Sequence, residues 1–158
     1  MSVAFTRETD LEATAADLPD RPISPHPNLV TATGLAALDE ALAAARAAYG
    51  QAQTLDVQAD RMAMARATRD LRYYSARRAT AQLVEAPANP HTVQFGTTVT
   101  LDREDGRRQT FRIVGEDEAD PARGTVSYVS PLARAVMGKS AGDVAMVAGH
   151  EVEVVEVR

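Results

Sequence analysis

The sequence has no cysteine and no tryptophan, and aromatic side chains make up only 4% of it. Without thiols it can form neither disulfides nor thiolate metal sites, which fits a reducing compartment. No stretch reaches the roughly 18 consecutive apolar residues of a membrane-spanning helix. The opening residues Met1–Glu12 carry acids in place of a basic start and an apolar run, so no secretory signal is read there. The expectation is a cytoplasmic protein with no membrane partner. A strongly basic domain is also missing. Residues 1–29 carry two Arg against five acids, residues 51–86 six Arg against four, and residues 87–158 eight Lys or Arg against eleven, within a net charge of −5. Duplex-DNA readers draw most of their affinity from phosphate neutralisation, so nucleic acid is expected to be met only indirectly. His26, His91 and His150 stand far apart and match no metal motif, and there is no phosphate loop or Gly-rich dinucleotide turn. No cofactor, metal or small-molecule substrate is expected, and no catalytic constellation stands out.

What is present is alanine and a change of period along the chain. Met1–Asn28 is acidic and contains Pro19, Pro22, Pro25 and Pro27, which forbid a continuous helix and favour extended chain. It reads as a flexible or draped tail, with a short helix possible at Thr9–Asp17, and residues 1–29 are set apart as this tail. In residues 30–86, Thr33 can cap a helix in which Leu35, Leu38, Leu42, Ala45 and Tyr49 follow a heptad seam, ending at Gly50. After a turn over Gln51–Gln58, a second helix of about Ala59–Val84 puts Met64, Ala67, Leu71, Tyr74 and Ala81 on one stripe, with Arg78 also falling there. Two such seams joined by a short polar connection make an antiparallel helical hairpin. Pro87 and Pro90 close it. Over residues 91–158 the period becomes two, with Val93, Phe95, Thr97, Val99 and Leu101 first and Phe111 and Ile113 after the Asp105-Gly106 turn. Val126 and Tyr128 mark a third strand. Ser130-Pro131 reads as a cap and first turn of a short helix ending at Gly138, and two strands over Asp143–Val147 and Glu151–Val157 finish the chain. The fold class is α+β: a helical hairpin, then a curled antiparallel sheet with one short helix.

Three features could carry function. The second helix bears Arg66, Arg69, Arg72 and Arg77 away from its seam, either a solvated face or a docking strip with Tyr73 and Tyr74 as neighbours. Asp56 and Asp60 lie near the hairpin tip, where exposed carboxylates can be delivered into another protein's cavity, although Asp60 also suits the first turn of a helix. The run Glu116-Asp117-Glu118-Asp120 could attract a divalent cation or simply be a solvated loop.

Longer segments are more specific. Ile113-Val114-Gly115-Glu116-Asp117-Glu118-Ala119-Asp120 and Ser130-Pro131-Leu132-Ala133-Arg134-Ala135-Val136-Met137-Gly138-Lys139, with Gly142-Asp143-Val144, resemble the carboxy-terminal domain of GreA/GreB-type transcription elongation factors. Val93-Gln94-Phe95-Gly96, Arg69–Ser75 and Val30–Leu35 are similar to further parts of that family. The resemblance implies a carboxy-terminal domain like that of FK506-binding proteins, gripping the rim of the RNA polymerase secondary channel while the hairpin points toward the catalytic centre. Polymerase is thus the implied partner, with Ser130, Pro131 and Arg134, and also Asp117 and Asp120, as docking residues. In cleavage factors of the family the tip carries Gly-Asp-x-x-Glu-Asn, whose carboxylates help hold a magnesium ion and a water for hydrolysis of backtracked RNA. Here Gly50-Gln51-Ala52-Gln53-Thr54 keeps the glycine without the acid pair, and Val129 stands where Asp or Asn often precedes Ser-Pro. Sixteen positions separate Gly34 from Gly50, a reach of roughly 25 Å. Such a short, acid-poor hairpin is similar to the Rnk group. The implied function is an elongation regulator that does not stimulate cleavage. The rivals are a cleavage factor using Asp56 and Asp60, a prolyl isomerase drawing on Phe95, Phe111 and Tyr128, and a regulator of nucleotide metabolism with no polymerase link.

Overall fold

The computed structural model describes residues 18–54 and 61–158. They fall into two compact units: residues 38–80 with the segment ending at Pro25, and residues 26–37 with 81–158.

The first unit is helical. Helix α1 (Ala32–Thr54) begins in the second unit and contributes most of its length to the first. Its 23 residues rise about 35 Å at ~1.5 Å each, longer than the sequence reading allowed. Gly50 sits inside the helix instead of ending it, because a single exposed glycine costs only about 1 kcal/mol against alanine and its neighbours are good helix formers. Leu38, Leu42 and Ala45 are buried and Leu35 and Tyr49 half-buried, as the heptad pattern predicts. Helix α2 (Arg61–Thr80) is also long, but its buried face is rotated from the expected seam. Its buried residues are Ala67 and Arg77. Arg77, expected on the exposed basic stripe, is only 2% exposed. Position 77 lies ten residues beyond Ala67 and so about 80° round the helix from it, which widens the buried face away from the Ala67 stripe; the aliphatic stem of an arginine can lie along such a surface. Arg78 instead reaches across to an ion pair with Asp39 of α1.

The second unit is built on strands. β1 (Leu29–Val30) and β2 (Gln82–Leu83) form a short parallel pair, Leu29 opposite Gln82 and Val30 opposite Leu83. This ends α2 before Val84. β3 (Thr98–Arg103), β4 (Arg108–Val114), β5 (Thr125–Ser127), β6 (Val144–Val147) and β7 (His150–Val157) form one sheet in the order β5-β4-β3-β7-β6. Its core is Val99, Leu101, Ile113, Val126, Val152 and Val154, closed by Ala133 and Val136 of the short helix α3 (Pro131–Val136).

Two expectations about this sheet need correction. It is mixed: β5 runs parallel to β4, while the other pairs are antiparallel. The connection between them turns through a single 3-10 turn, Pro121–Arg123, and crosses back instead of closing a hairpin. Val93–Thr97 is not a strand either. Gly96 takes φ +84°, Thr97 folds back onto Gln94, and buried Val93 exchanges backbone hydrogen bonds with Gly138 and Lys139 beyond α3.

Candidate functional site

The Ser130-Pro131 start of α3 has the geometry its sequence predicts. Ser130 is extended (φ −63°, ψ 152°), its Oγ accepts from the Ala133 N–H at 3.2 Å, and Pro131 occupies the first turn. Pro131 and Arg134 are exposed while Ala133 and Val136 are fully buried, so one face of the helix is anchored and the other presents a proline and a guanidinium. Arg134 Nη2 lies 3.5 Å from His26 Nε2, the outer limit of a hydrogen bond; arginine has only donors, so the imidazole nitrogen is the acceptor. Close by, the Tyr128 hydroxyl donates to the Pro27 carbonyl, and its ring meets Phe95 edge-to-face at 5.7 Å.

Parallel pairing sets the carboxyl ends of β4 and β5 side by side, with Val114 opposite Ser127. The start of the acidic loop and the α3 cap therefore leave the sheet at one end. The loop divides its acids. Glu118 turns inward and accepts from the Thr31 hydroxyl at 2.6 Å, while Thr31 Oγ1 accepts from the Gly34 N–H at 3.0 Å, so that Thr31 caps α1 and the expected cap Thr33 lies inside the helix. A Cβ on Gly34 would stand 2.6 Å from the Glu118 carboxylate, and one on Gly115 only 2.2 Å from the Leu29 carbonyl. Asp117 is exposed, and Asp120, also exposed, stands just before the 3-10 turn Pro121–Arg123, where its N–H donates to Thr125 Oγ1 at 2.8 Å and its carboxylate lies 3.5 Å from Arg123. Among the described residues, no three His, Asp or Glu side chains gather where a metal could be held.

The basic stripe is uneven. Arg66 is exposed, Arg69 lies 3.6 Å from Asp70, and Arg72 pairs with Asp20 at 3.2 Å. Next to them Arg21 stacks over the Tyr73 ring, 3.8 Å from its centroid, and its Nη1 is 3.6 Å from Asp70. The pKa of Arg21 is raised, chiefly by the Tyr74 hydroxyl. From Leu18 onward, then, the segment expected as a loose tail packs through alternating charges; its possible helix at Thr9–Asp17 lies outside the described residues. So do Asp56 and Asp60.

Residues 88–158 match the family described as transcription elongation factor, GreA/GreB, C-term. The chain is also 36% identical over 128 residues to the transcription elongation factor GreA of Pseudomonas aeruginosa, covering 77% of this chain and 81% of that one. It belongs to the GreA/GreB family. GreA of Alkalilimnicola ehrlichii is 51% identical over 71 residues, 42% of this chain and 45% of that one, so this match spans less than half of that relative. Among solved structures, the Gfh1 protein of Thermus thermophilus is similar over 84% of this chain and 99% of that one, with 18% identity and a TM-score of 0.39. The curated relatives matched are named GreA and GreB, which does not support placing this Gre-family chain beside the Rnk group. The length of α1 also removes the shortness that was one of the two grounds for that placement. The Ser130–Pro131 segment that carries the resemblance leads into a formed and partly exposed helix. The strap residues Asp20 and Arg21 and the Thr31–Glu118 contact were not anticipated; oppositely charged neighbours among prolines, and an acid just after a strand, were their only signals.

Proposed function

We propose that this Gre-family chain binds RNA polymerase at the secondary channel, docking through the Pro131–Arg134 face, and modulates elongation without stimulating transcript cleavage. The observation that carries the docking is the capped helix α3, with its apolar side locked in the core and Pro131 and Arg134 left outside. Pre-formed geometry lowers the ordering cost of association. Asp117, exposed in the loop that leaves the sheet at the same end, supplies a carboxylate for a basic partner surface.

The absence of cleavage rests on charge alone. The last described residues of α1, Gln51, Gln53 and Thr54, are exposed amides and a hydroxyl, which cannot supply the negative charge that draws a divalent cation toward the reacting phosphate. This chain's remaining candidates are Asp56 and Asp60. Backtracked polymerase complexes incubated with the protein decide between the readings. No shortening of transcripts is expected, and none in Asp56→Ala or Asp60→Ala, while all three proteins still bind polymerase. Shortening that disappears in Asp56→Ala would make Asp56 catalytic and this chain a cleavage factor.

A further inference from the structure

In the first unit, three side chains of α2 converge on one guanidinium. Asp70, Tyr73 and Tyr74 are spaced by three and four residues and so share a helix face. The two rings meet edge-to-face, with centroids 5.2 Å apart and planes at 81°. The Arg21 guanidinium carbon lies 3.8 Å from the Tyr73 centroid and 5.2 Å from that of Tyr74, with the Asp70 carboxylate 3.6 Å from Nη1. An aromatic face and a carboxylate aimed at one cation is how proteins recognise charged planar groups, and arginine stacks on such a face better than lysine. One residue earlier, Asp20 meets Arg72 at 3.2 Å. The receptor therefore reads two adjacent charges of opposite sign in an extended segment. Pro19 and Pro22 flank this pair and restrict its undocked conformations, so docking loses less entropy. The Arg21 side chain is still 36% exposed, so the contact can exchange without unfolding anything.

We propose that Asp70, Tyr73 and Tyr74 form a receptor for an arginine side chain, which Arg21 fills in cis and which an arginine-bearing, extended segment of a partner protein can take over. The cis segment lies on the same stretch of helix as Arg69 and Arg72. Its replacement therefore also frees Arg72 from Asp20 and changes the charge that α2 presents. This goes beyond the polymerase-docking face and does not depend on it.

The test uses the full-length chain, isotope-labelled for NMR, and a synthetic peptide with the sequence of residues 18–25. In Arg21→Ala the receptor is vacant, and the peptide is expected to shift the amide signals of Asp70, Tyr73 and Tyr74 saturably. In the unaltered chain the tethered segment competes at an effective concentration on the order of millimolar, and the apparent affinity is expected to fall at least ~10-fold. The double variant Arg21→Ala, Tyr73→Leu should lose the response, and a peptide with Ala in place of its arginine should give none. No response in Arg21→Ala, or an equal one in the unaltered chain, overturns the proposal. The Arg21 side-chain N–H signal tests the cis contact separately. It is expected to be displaced by ring currents in the unaltered chain and to return to the free-arginine position in Tyr73→Leu; a free-arginine position in the unaltered chain overturns it too.

Discussion

Replacing Gly115 with alanine tests how the second unit holds the entry of α1. Gly115 does not have a positive φ, so the substitution introduces no backbone strain of its own and its whole effect is steric. The new methyl would lie 2.2 Å from the Leu29 carbonyl oxygen, with the Leu29 carbonyl carbon at 3.4 Å and Val30 Cα at 3.6 Å. These are backbone atoms that cannot rotate aside, so β1 must retreat by about 1 Å to restore van der Waals contact. That retreat strains the hydrogen bonds from Gln82 N–H to Asn28 and from Val84 N–H to Val30, now 2.9 and 3.0 Å. The Thr31–Glu118 contact, at 2.6 Å, is displaced with them. Overpacking costs ~1–3 kcal/mol and a weakened hydrogen bond about 1 kcal/mol, so a loss of about 3 kcal/mol is expected, or a fall in Tm of ~6–12 °C for a chain of this size. Thermal unfolding followed by circular dichroism measures it. Gly50→Ala is the counterpart: nothing lies within 4 Å of the new Cβ, and helix propensity alone predicts a gain of up to about 1 kcal/mol. A Gly115→Ala protein that melts within about 2 °C of the parent would refute the close approach.

Thr31→Val removes both the cap on Gly34 and the donor to Glu118, and is expected to cost about 1–2 kcal/mol, with faster amide exchange in the first turn of α1 as the readout. Pro131→Gly should loosen the first turn of α3 and weaken polymerase binding several-fold, measured by fluorescence anisotropy, with the helical signal of α1 and α2 unchanged. The Glu104 carboxyl is held below its ordinary range, mainly by the Glu151 N–H and also by His150. Its stabilising contribution is therefore complete above the ordinary glutamate range and lost as pH falls through the lowered native value. Glu104→Gln should reduce the decline in Tm between about pH 6 and about pH 3, and an unchanged decline would count against the contact.

Features that depend on neighbours along the chain were legible. Ser130 and Pro131 announce a helix start because capping is settled within four residues, and Asp105-Gly106 announces a turn because Gly106 can take φ +83°. The spacing of Leu38, Leu42 and Ala45 fixed the buried face of α1. What escaped depends on distant partners or on a choice between near-equal options. Ala67 lies on the expected seam, yet an alanine-rich helix offers several faces of nearly equal apolarity, and packing chose the one that buries Arg77. The direction of β5 follows from the path of a loop, which alternation cannot report. Asp20 and Arg72 are 52 positions apart, and nothing local joins them. Of the residues proposed for docking, the helix start at Ser130 and Pro131 was visible early, whereas only the folded chain divides the acidic loop into an inward Glu118 and an outward Asp117.

The pairing of β1 with β2 has a consequence for how this architecture can change. The chain departs at Val30 and comes back at Gln82, and the departure and return points are hydrogen-bonded neighbours. Everything between is an excursion whose ends are already fastened. Adding or removing matched helical turns on both arms leaves the anchoring strands and the sheet where they are, and the entropy of closing a longer loop grows only logarithmically. Hairpin length is thus an adjustable ruler, free to vary by insertion in natural sequences or in a designed graft, while the sheet and its short helix keep their own sequence and their own fold.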